Sequence, residues 1–582
     1  MQYLGIVFLL LHSSSLFSNY AALDTSFNGS GFTFTTSSWT SQQQTCTAIQ
    51  EDGKILVAGN AIAAPSTTSQ VAIVRFNNNG TLDTSFNASG STPGTLIYTI
   101  PGNYNLQPPA NSSINLTYGI AVQSDQKIIL TGTANIGGGW PYIFILKCNA
   151  DGTLDTTFGT GIGITPNTGT NVATSNTTVF GYPGSILYSW SNTVSPYAIL
   201  PQVDNKIVLA GQSGNTSPIC LRFLSNGALD TTANNGSGFG ATPASSALGY
   251  FTVPVPSNGV TTYPYLGIIK SLSIDQTTQN IYMAGQSNPT TSSAASNAHY
   301  PVIYQCSPAG ILNNYGIVMP NTSPVTYGAV ISTNTTFIQG AFNNVIMQPD
   351  HKAVAIGTAT FNNGTSYCMI IARFTATGVL DTTFGNGLGY VANTLSSTGQ
   401  GICLNENGQI IVTGAYGTTP YTAIYRFNAD GTLDTTFTQT GYFAFNSIGY
   451  NNSSLGNGIT DNGKIQIGAI INNQFGAFQM LGSNELQSTT PSVLTYGFNP
   501  NYFTDFLYVN TYAQIISDTT ARNATVSAIN SMLTNYAQSY NLQNDFNYLL
   551  YLYLLESEIA QIQTNLIATY PTSSDEIIQF FL

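Results

Sequence analysis

The sequence predicts an all-β fold, a seven-bladed β-propeller of four-stranded blades followed by a C-terminal α-helical segment. Three recurring strings carry that expectation. LDTSF or LDTTF stands at residues 23–27, 82–86, 154–158, 380–384 and 433–437, with degenerate copies beginning at Leu229, Leu312 and Leu486. Upstream of it in each unit comes a turn and a short apolar run ending in glycine, as in DGKILVAG (52–59), KIVLAG (206–211) and QIIVTG (409–414). Between these two lies a third string, VAIVRFN at 71–77, IFILKCN at 143–149 and MIIARF at 369–374. The spacing of the LD positions marks out seven units.

Each unit supplies four strands. The apolar runs are rich in Val, Ile and aromatics and are punctuated by Asp-Gly and Asn-Gly, the chemistry of strands joined by hairpin turns. In the first unit an outer strand is expected at 31–36, an inner one at 45–49, and then the KILVAG and VAIVRF strands. A unit that cannot bury its own apolar faces must stack against copies of itself, and radial repetition of four-stranded units gives a propeller. Two segments compete to close the ring: residues 31–36, which would complete the last blade and clasp the chain ends together, and residues 492–496. The first is favoured.

The combination DGKILVAG, then VRFN, then DGTLDTTFG resembles the delta-60 repeat family over residues 23–487. The resemblance implies a bacterial β-propeller and a tendency to be secreted, and it implies no activity. The fourth and fifth copies depart from the pattern by losing the aspartate or the phenylalanine.

The repeats covary in charge. Eight residues before each LD position stands Arg75, Lys147, Arg222, Gln305, Arg373, Arg426 or Gln479, opposite Asp83, Asp155, Asp230, Asn313, Asp381, Asp434 and Gln487. Five units pair a cation with an anion and two pair amides. Stranding one partner of a buried ion pair costs about 3–5 kcal/mol, so joint retention or loss predicts structural ion pairs bracing a turn.

Composition bounds the rest. Charged residues make up 6% of the chain, against about 25% in ordinary proteins. Polar surface must therefore come from Asn, Thr, Ser, Gly and Tyr. A net charge of −12 argues against nucleic-acid binding, which needs clustered Lys and Arg. Residues 3–11 are apolar and are followed by small polar residues, so 1–22 is expected to be a secretory signal peptide, though the first lysine is Lys54. Localisation is then secreted, periplasmic or at the cell surface, with no membrane span after the leader. The six cysteines replace apolar residues of the strand pattern and are expected to be buried free thiols. Neither CxxC nor a Cys-His spacing offers a metal site, and no cofactor is expected.

After a Ser-Thr-Pro linker the pattern over 488–582 becomes helical. Glycine nearly vanishes, and Leu542, Phe546, Leu549, Leu550, Tyr553 and Leu554 form an apolar stripe. This segment is expected to form a helical hairpin or small bundle, with self-association as a second role.

Strand direction alternates within a blade, so connections divide between two faces. The EDGK-type and NADGTLD-type turns share one face. The other face is expected to hold all length variation, in segments 91–117, 167–195, 241–265 and 286–300. Seventeen carboxylates precede Ser488, and all fall at the turns or the LD positions. Of the histidines, His12 lies in the leader, His351 in a turn, and only His299 reaches a long segment. General acid–base work wants paired carboxylates or an oriented histidine, so the expectation is that the protein is not an enzyme. Trp39, Tyr104, Trp140, Tyr182, Tyr188, Trp190, Tyr263 and Tyr265 are the candidate ligand-binding residues, since flat rings among neutral hydrogen-bonding neighbours suit sugars or protein surfaces. The expected function is thus a non-catalytic exported propeller binding an extracellular glycan or protein in a surface or adhesion role. A polysaccharide-degrading hydrolase or lyase and a purely structural envelope component are the alternatives.

Overall fold

The computed structural model describes residues 23–480 except 25, 36–38, 63–68, 100–104, 107–118, 136–141, 163–176, 191–193, 215–216, 232–237, 241–248, 253–266, 288–299, 314, 316–328, 331–337, 362–366, 394–395, 417–420, 438–439, 446–456, 460–462 and 472–473. Within it are seven antiparallel sheets, each holding a four-stranded blade. From the innermost strand outward, the first blade runs Thr40–Ile49, Ile55–Ile62, Gln70–Phe76 and Thr95–Tyr98. The second runs Gly119–Val122, Ile128–Asn135, Tyr142–Cys148 and Ser185–Trp190, with Thr177–Tyr182 and Asn105–Leu106 added to the same sheet. The third is Val194–Pro201, Ile207–Ser213, Ser217–Phe223 and Tyr250–Thr252; the fourth is Gly267–Ile274, Ile281–Ser287, Tyr300–Cys306 and Ala329–Val330. The fifth and sixth are Ile338–Met347, Ala353–Phe361, Cys368–Phe374, Tyr390–Asn393 and Ser396–Leu404, Ile410–Tyr416, Tyr421–Phe427, Tyr442–Phe445.

The seventh blade is made from both ends of the propeller. Asn457–Ile459, Ile465–Ile471 and Gln474–Met480 take Phe32–Phe34 as their outermost strand, with Phe32 opposite Phe478 and Phe34 opposite Gly476. The clasp covers the edge of Gln474–Met480, which would otherwise offer unpaired backbone groups.

Each blade packs its apolar side chains on its neighbours. The third strands of the first and fifth blades, Gln70–Phe76 and Cys368–Phe374, are buried at every position. They lie between two blades, which is why their sequences are continuous apolar runs rather than alternating ones. Corner phenylalanines extend this packing. Phe86, from the first blade's LDTSF, lies against Gly152 in the turn of the second blade, where an added Cβ would stand 2.6 Å from the ring. Gly152 also has φ +84, so that turn requires glycine on two counts.

One sequence expectation about the fold needs correction. Length variation is not confined to one face. In the second blade the outer strand does not follow LDTTF directly; Ser185–Trp190 takes that place, after an insertion. In the third blade, likewise, residues between Asp230 and Gly249 precede the outer strand Tyr250–Thr252. Any alternating run can add to a blade edge, so the sequence pattern alone did not locate the outer strand. The leader (1–22) and the helical segment expected over 488–582 lie outside the described residues, and no helix occurs among those described.

Candidate functional site

The antiparallel order within each blade separates two ends. At one end lie the turns between first and second strands and the corners between third and fourth. This end holds the ionisable groups. Arg75 Nε donates to Asp83 Oδ2 at 2.7 Å, Arg222 to Asp230 at 2.6 Å, Arg373 to Asp381 at 2.8 Å and Arg426 to Asp434 at 2.6 Å. Lys147 lies 3.8 Å from Asp155, and Lys127 is closer at 2.9 Å. Each pair sits over the corner phenylalanine of its own blade, as with Arg222 at 4.4 Å from the Phe239 ring centroid. The same cations reach the next blade: Arg373 Nη1 donates to the Ala429 carbonyl at 2.5 Å, and Arg222 Nη1 donates to the Pro308 carbonyl. The ion pairs therefore join blades as well as brace corners.

In the fourth blade the neutral version forms, with Asn313 Nδ2 donating to Gln305 Oε1 at 2.8 Å. In the seventh, Asp24 stands opposite Gln479 as the LD aspartates stand opposite their cations. Asp24, from the N-terminal clasp, donates its backbone N–H to the Gln479 carbonyl at 2.8 Å, and its carboxylate meets Lys464 at 2.7 Å. Charge at this corner is balanced by a cation that immediately precedes the second strand. Gln487 itself lies outside the described residues.

The turn end also holds a pair that sequence reasoning missed. His351 Nδ1 lies 2.7 Å from Asp275 Oδ2, with the histidine side chain 41% exposed and the aspartate 4%. Burial works to raise the Asp275 carboxyl, but the backbone N–H donors of Thr278 and Thr277 and the His351 ring outweigh it and hold it below the usual carboxylate range. The two residues come from adjacent blades and are 76 positions apart. Only the stacking of blades brings them together.

The opposite end has another character. Connections from second to third strand, and from each outer strand to the next inner strand, contain no Asp, Glu, Lys or Arg in any blade. His299 is the only histidine in the sequence of these connections, and it lies outside the described residues. The predicted binding rings are distributed as follows. Trp39 lies in the short connection between the clasp and the first blade, half-buried, with its ring edge-on to Phe475 at 5.9 Å. Tyr182 is half-buried in the strand added outside the second blade. Tyr188 is 1% exposed and meets Phe223 edge-on at 5.6 Å, so it offers no surface to a ligand and belongs to the core. Trp190 ends the outer strand of the second blade, its Cα opposite Thr177. Tyr104, Trp140, Tyr263 and Tyr265 lie outside the described residues.

The innermost strands, which border the central channel of a propeller, carry bulges at matching heights. Register shifts fall between Pro196 and Ala198, Ile269 and Ser271, Phe342 and Asn344, and Gly399 and Gly401. Polar side chains there bond from blade to blade. Ser271 Oγ donates to Asn344 Oδ1 at 2.8 Å, and Asn344 Nδ2 donates to the Gln400 carbonyl at 3.2 Å. Lys270 Nζ donates to Asn343 Oδ1 at 3.2 Å. Among the described residues no group of three or more His, Cys, Asp or Glu could hold a metal ion.

Among the comparisons with known proteins, the family model bears on the architecture. The family model described as a domain of unknown function (DUF5122) β-propeller matches residues 50–86, 123–158, 202–232, 348–384 and 406–437. No curated protein sequence is similar to the chain. Among solved structures, it is similar to a polysaccharide lyase of family PL25, an ulvan lyase bound to -[GlcA(1-4)Rha3S]-, at 10% identity, covering 76% of this chain and 95% of that one with a TM-score of 0.36. It is similar to the GH93 α-L-arabinofuranosidase of Fusarium graminearum in complex with arabinobiose, at 8% identity, 76% and 93% coverage and a TM-score of 0.33. The α-L-arabinanase of Penicillium chrysogenum complexed with arabinobiose follows at 8% identity, 78% and 97% coverage and a TM-score of 0.35. At these values the likeness carries no argument about this chain. The expectation that the protein is not an enzyme rested on the lack of an oriented histidine, and it is corrected by the Asp275–His351 pair, which supplies one.

Proposed function

We propose that this chain, whose repeats belong to the DUF5122 β-propeller family, engages a neutral polysaccharide at the end of the propeller that bears no charge. One observation carries the reading: every connection at that end lacks Asp, Glu, Lys and Arg, while amides, hydroxyls and aromatic rings fill the same segments. A sugar chain presents hydroxyls and apolar C–H faces. It needs hydrogen-bonding partners and flat rings rather than counter-charges. Trp39, Trp140 and Trp190 are the rings assigned to it, with Tyr104, Tyr263 and Tyr265 in connections of the same kind. In the same reading residues 1–22 direct export, and the helical segment over 488–582 serves attachment or self-association.

The test is native electrophoresis of the full chain through gels containing neutral polysaccharides. Retardation is expected in at least one gel, and changing Trp39, Trp140 and Trp190 to alanine should abolish it. Equal retardation of parent and variant would remove the assignment, and migration unaffected by every polysaccharide would remove the function.

A second reading, cleavage by a hydrolase or lyase of a polysaccharide bound instead at the turn end, rests on the Asp275–His351 pair. An imidazole oriented by a buried carboxylate is the arrangement a general base requires. Release of reducing ends or of unsaturated products by the parent, lost in His351→Ala, would support it; no product from any polysaccharide retained in the gels would dismiss it.

A further inference from the structure

Lys270 stands apart from all other described cations. Every other described lysine and arginine lies within 4.0 Å of a carboxylate. Lys270 has none among the described residues, although it is 4% exposed. Its single hydrogen bond runs from Nζ to Asn343 Oδ1 at 3.2 Å, across the junction between the fourth and fifth blades. Asn343 is also 4% exposed. Both residues occupy the extra position of a bulge on adjacent innermost strands. Burying a lone ammonium on one neutral hydrogen bond is costly, and no anion among the described residues offsets it.

We propose that Lys270 and Asn343 join in an intramolecular isopeptide bond that staples the fourth blade to the fifth. The reaction needs a neutral amine beside an amide carbon, with water excluded. The hydrogen bond sets Nζ against the amide oxygen, one bond from Cγ. The lone pair of Nζ attacks Cγ, the Nζ–Cγ bond forms and the Cγ–Nδ2 bond breaks. One proton passes from Nζ to the departing nitrogen, which leaves as ammonia. Lysine amine and asparagine amide thus become one secondary amide plus ammonia, with no oxidant or co-reactant.

The surroundings favour this step. Asn343 Nδ2 donates to the Gly399 carbonyl at 2.9 Å, which fixes the amide plane. Asn343 Nδ2 also donates to the Thr358 hydroxyl at 3.5 Å, a second hold on the amide. Burial pushes the Lys270 amine down to about 7, so a large share carries a free lone pair at neutral pH. Holding two groups in contact gives effective concentrations on the order of 10⁵ M or more, which lets a slow amide exchange run to completion in a folded protein. The product is uncharged. It removes the one buried ammonium that has no counter-ion among the described residues.

Mass spectrometry decides the matter on the parent protein alone. The fully denatured chain is expected to be lighter by one ammonia than the mass of its sequence, counted from whatever N-terminus it carries. Trypsin should then fail to cut after Lys270, because acylated lysine is not a substrate, and fragmentation of a peptic digest should show residues 267–274 branched to residues 338–347. Lys270→Met and Asn343→Ala should each abolish the branch and the ammonia loss. An unmodified mass with normal cleavage after Lys270 overturns the proposal. So does a lost ammonia that maps elsewhere while trypsin still cuts at Lys270. Neither result depends on the variants folding.

Discussion

Asp24 and Lys464 are separated by 440 positions in sequence and by 2.7 Å in space. The carboxylate enters from the N-terminal clasp and the ammonium from the residue immediately before the second strand of the last blade. Their side chains are 5% and 19% exposed. The same corner holds Phe27, which is fully buried among residues of the seventh and first blades. One short segment therefore closes the ring by strand pairing, by charge and by packing.

Removing that segment should open the propeller. A chain lacking residues 23–35 exposes the edge of Gln474–Met480 and the pocket of Phe27, and is expected to aggregate or elute as larger species on gel filtration. Asp24→Ala alone strands a partly buried ammonium and should lower stability by about 2 kcal/mol, below the range for fully buried pairs because Lys464 retains some solvent. Urea unfolding measures this, and an unchanged midpoint would deny the corner its closing role.

The fourth blade supplies its own control for the ion pairs. Arg75→Gln leaves Asp83 buried without its guanidinium and should cost about 3 kcal/mol. The double variant Arg75→Gln with Asp83→Asn recreates the Gln305–Asn313 pair and should recover much of that loss. A double-mutant cycle reads the coupling directly, and additive losses would show that the two side chains act independently.

Acid should weaken the fold through its aspartates. Burial works to raise the Asp381 carboxyl, but the Thr383 hydrogen bonds, Lys352 and Arg373 outweigh it and hold it at about 2. Asp83, Asp155 and Asp434 are likewise held below the usual range by their Ser or Thr and cationic donors, again against the effect of burial. Folded-state values below the unfolded ones mean stability that is complete above about pH 4 and is lost as pH falls toward 2. Melting temperatures followed by circular dichroism between pH 5 and pH 2 should decline over that window, and Asp381→Asn should lose less than the parent does.

Gly152→Ala tests the corner contact. It places a methyl group against the Phe86 ring at a φ of +84. Strain and overlap together are expected to cost about 2–3 kcal/mol. Gly161→Ala, at φ +76 with open space around it, isolates the conformational part and should cost less.

The thiols should be silent in the folded state. All six are buried thiols outside any disulfide, and burial pushes Cys306 and Cys403 up to about 12 and Cys368 up to about 11. An aromatic disulfide reagent is expected to titrate none of them natively and all six in denaturant. Rapid native labelling would mean that blades open locally.

The repeats by themselves determined the architecture. A four-strand pattern returning seven times cannot bury its apolar faces except against its own copies, and the clasp was legible because the first LDTSF has an outer strand and no preceding blade. The residue types of the ion pairs were legible too, since buried charge cannot be kept singly. What only the tertiary structure decided lies at junctions. The Asp24–Lys464 contact, the Asp275–His351 pair and the Lys270–Asn343 contact each unite residues from different strands or blades, and no local pattern fixes which side chains a neighbouring blade will present. The outer strands of the second and third blades escaped for a related reason: an alternating run can add to a sheet edge wherever packing and backbone pairing favour it, and insertion length leaves that choice open. Local propensity repeats with the sequence, whereas contact across a blade boundary depends on the whole ring having closed.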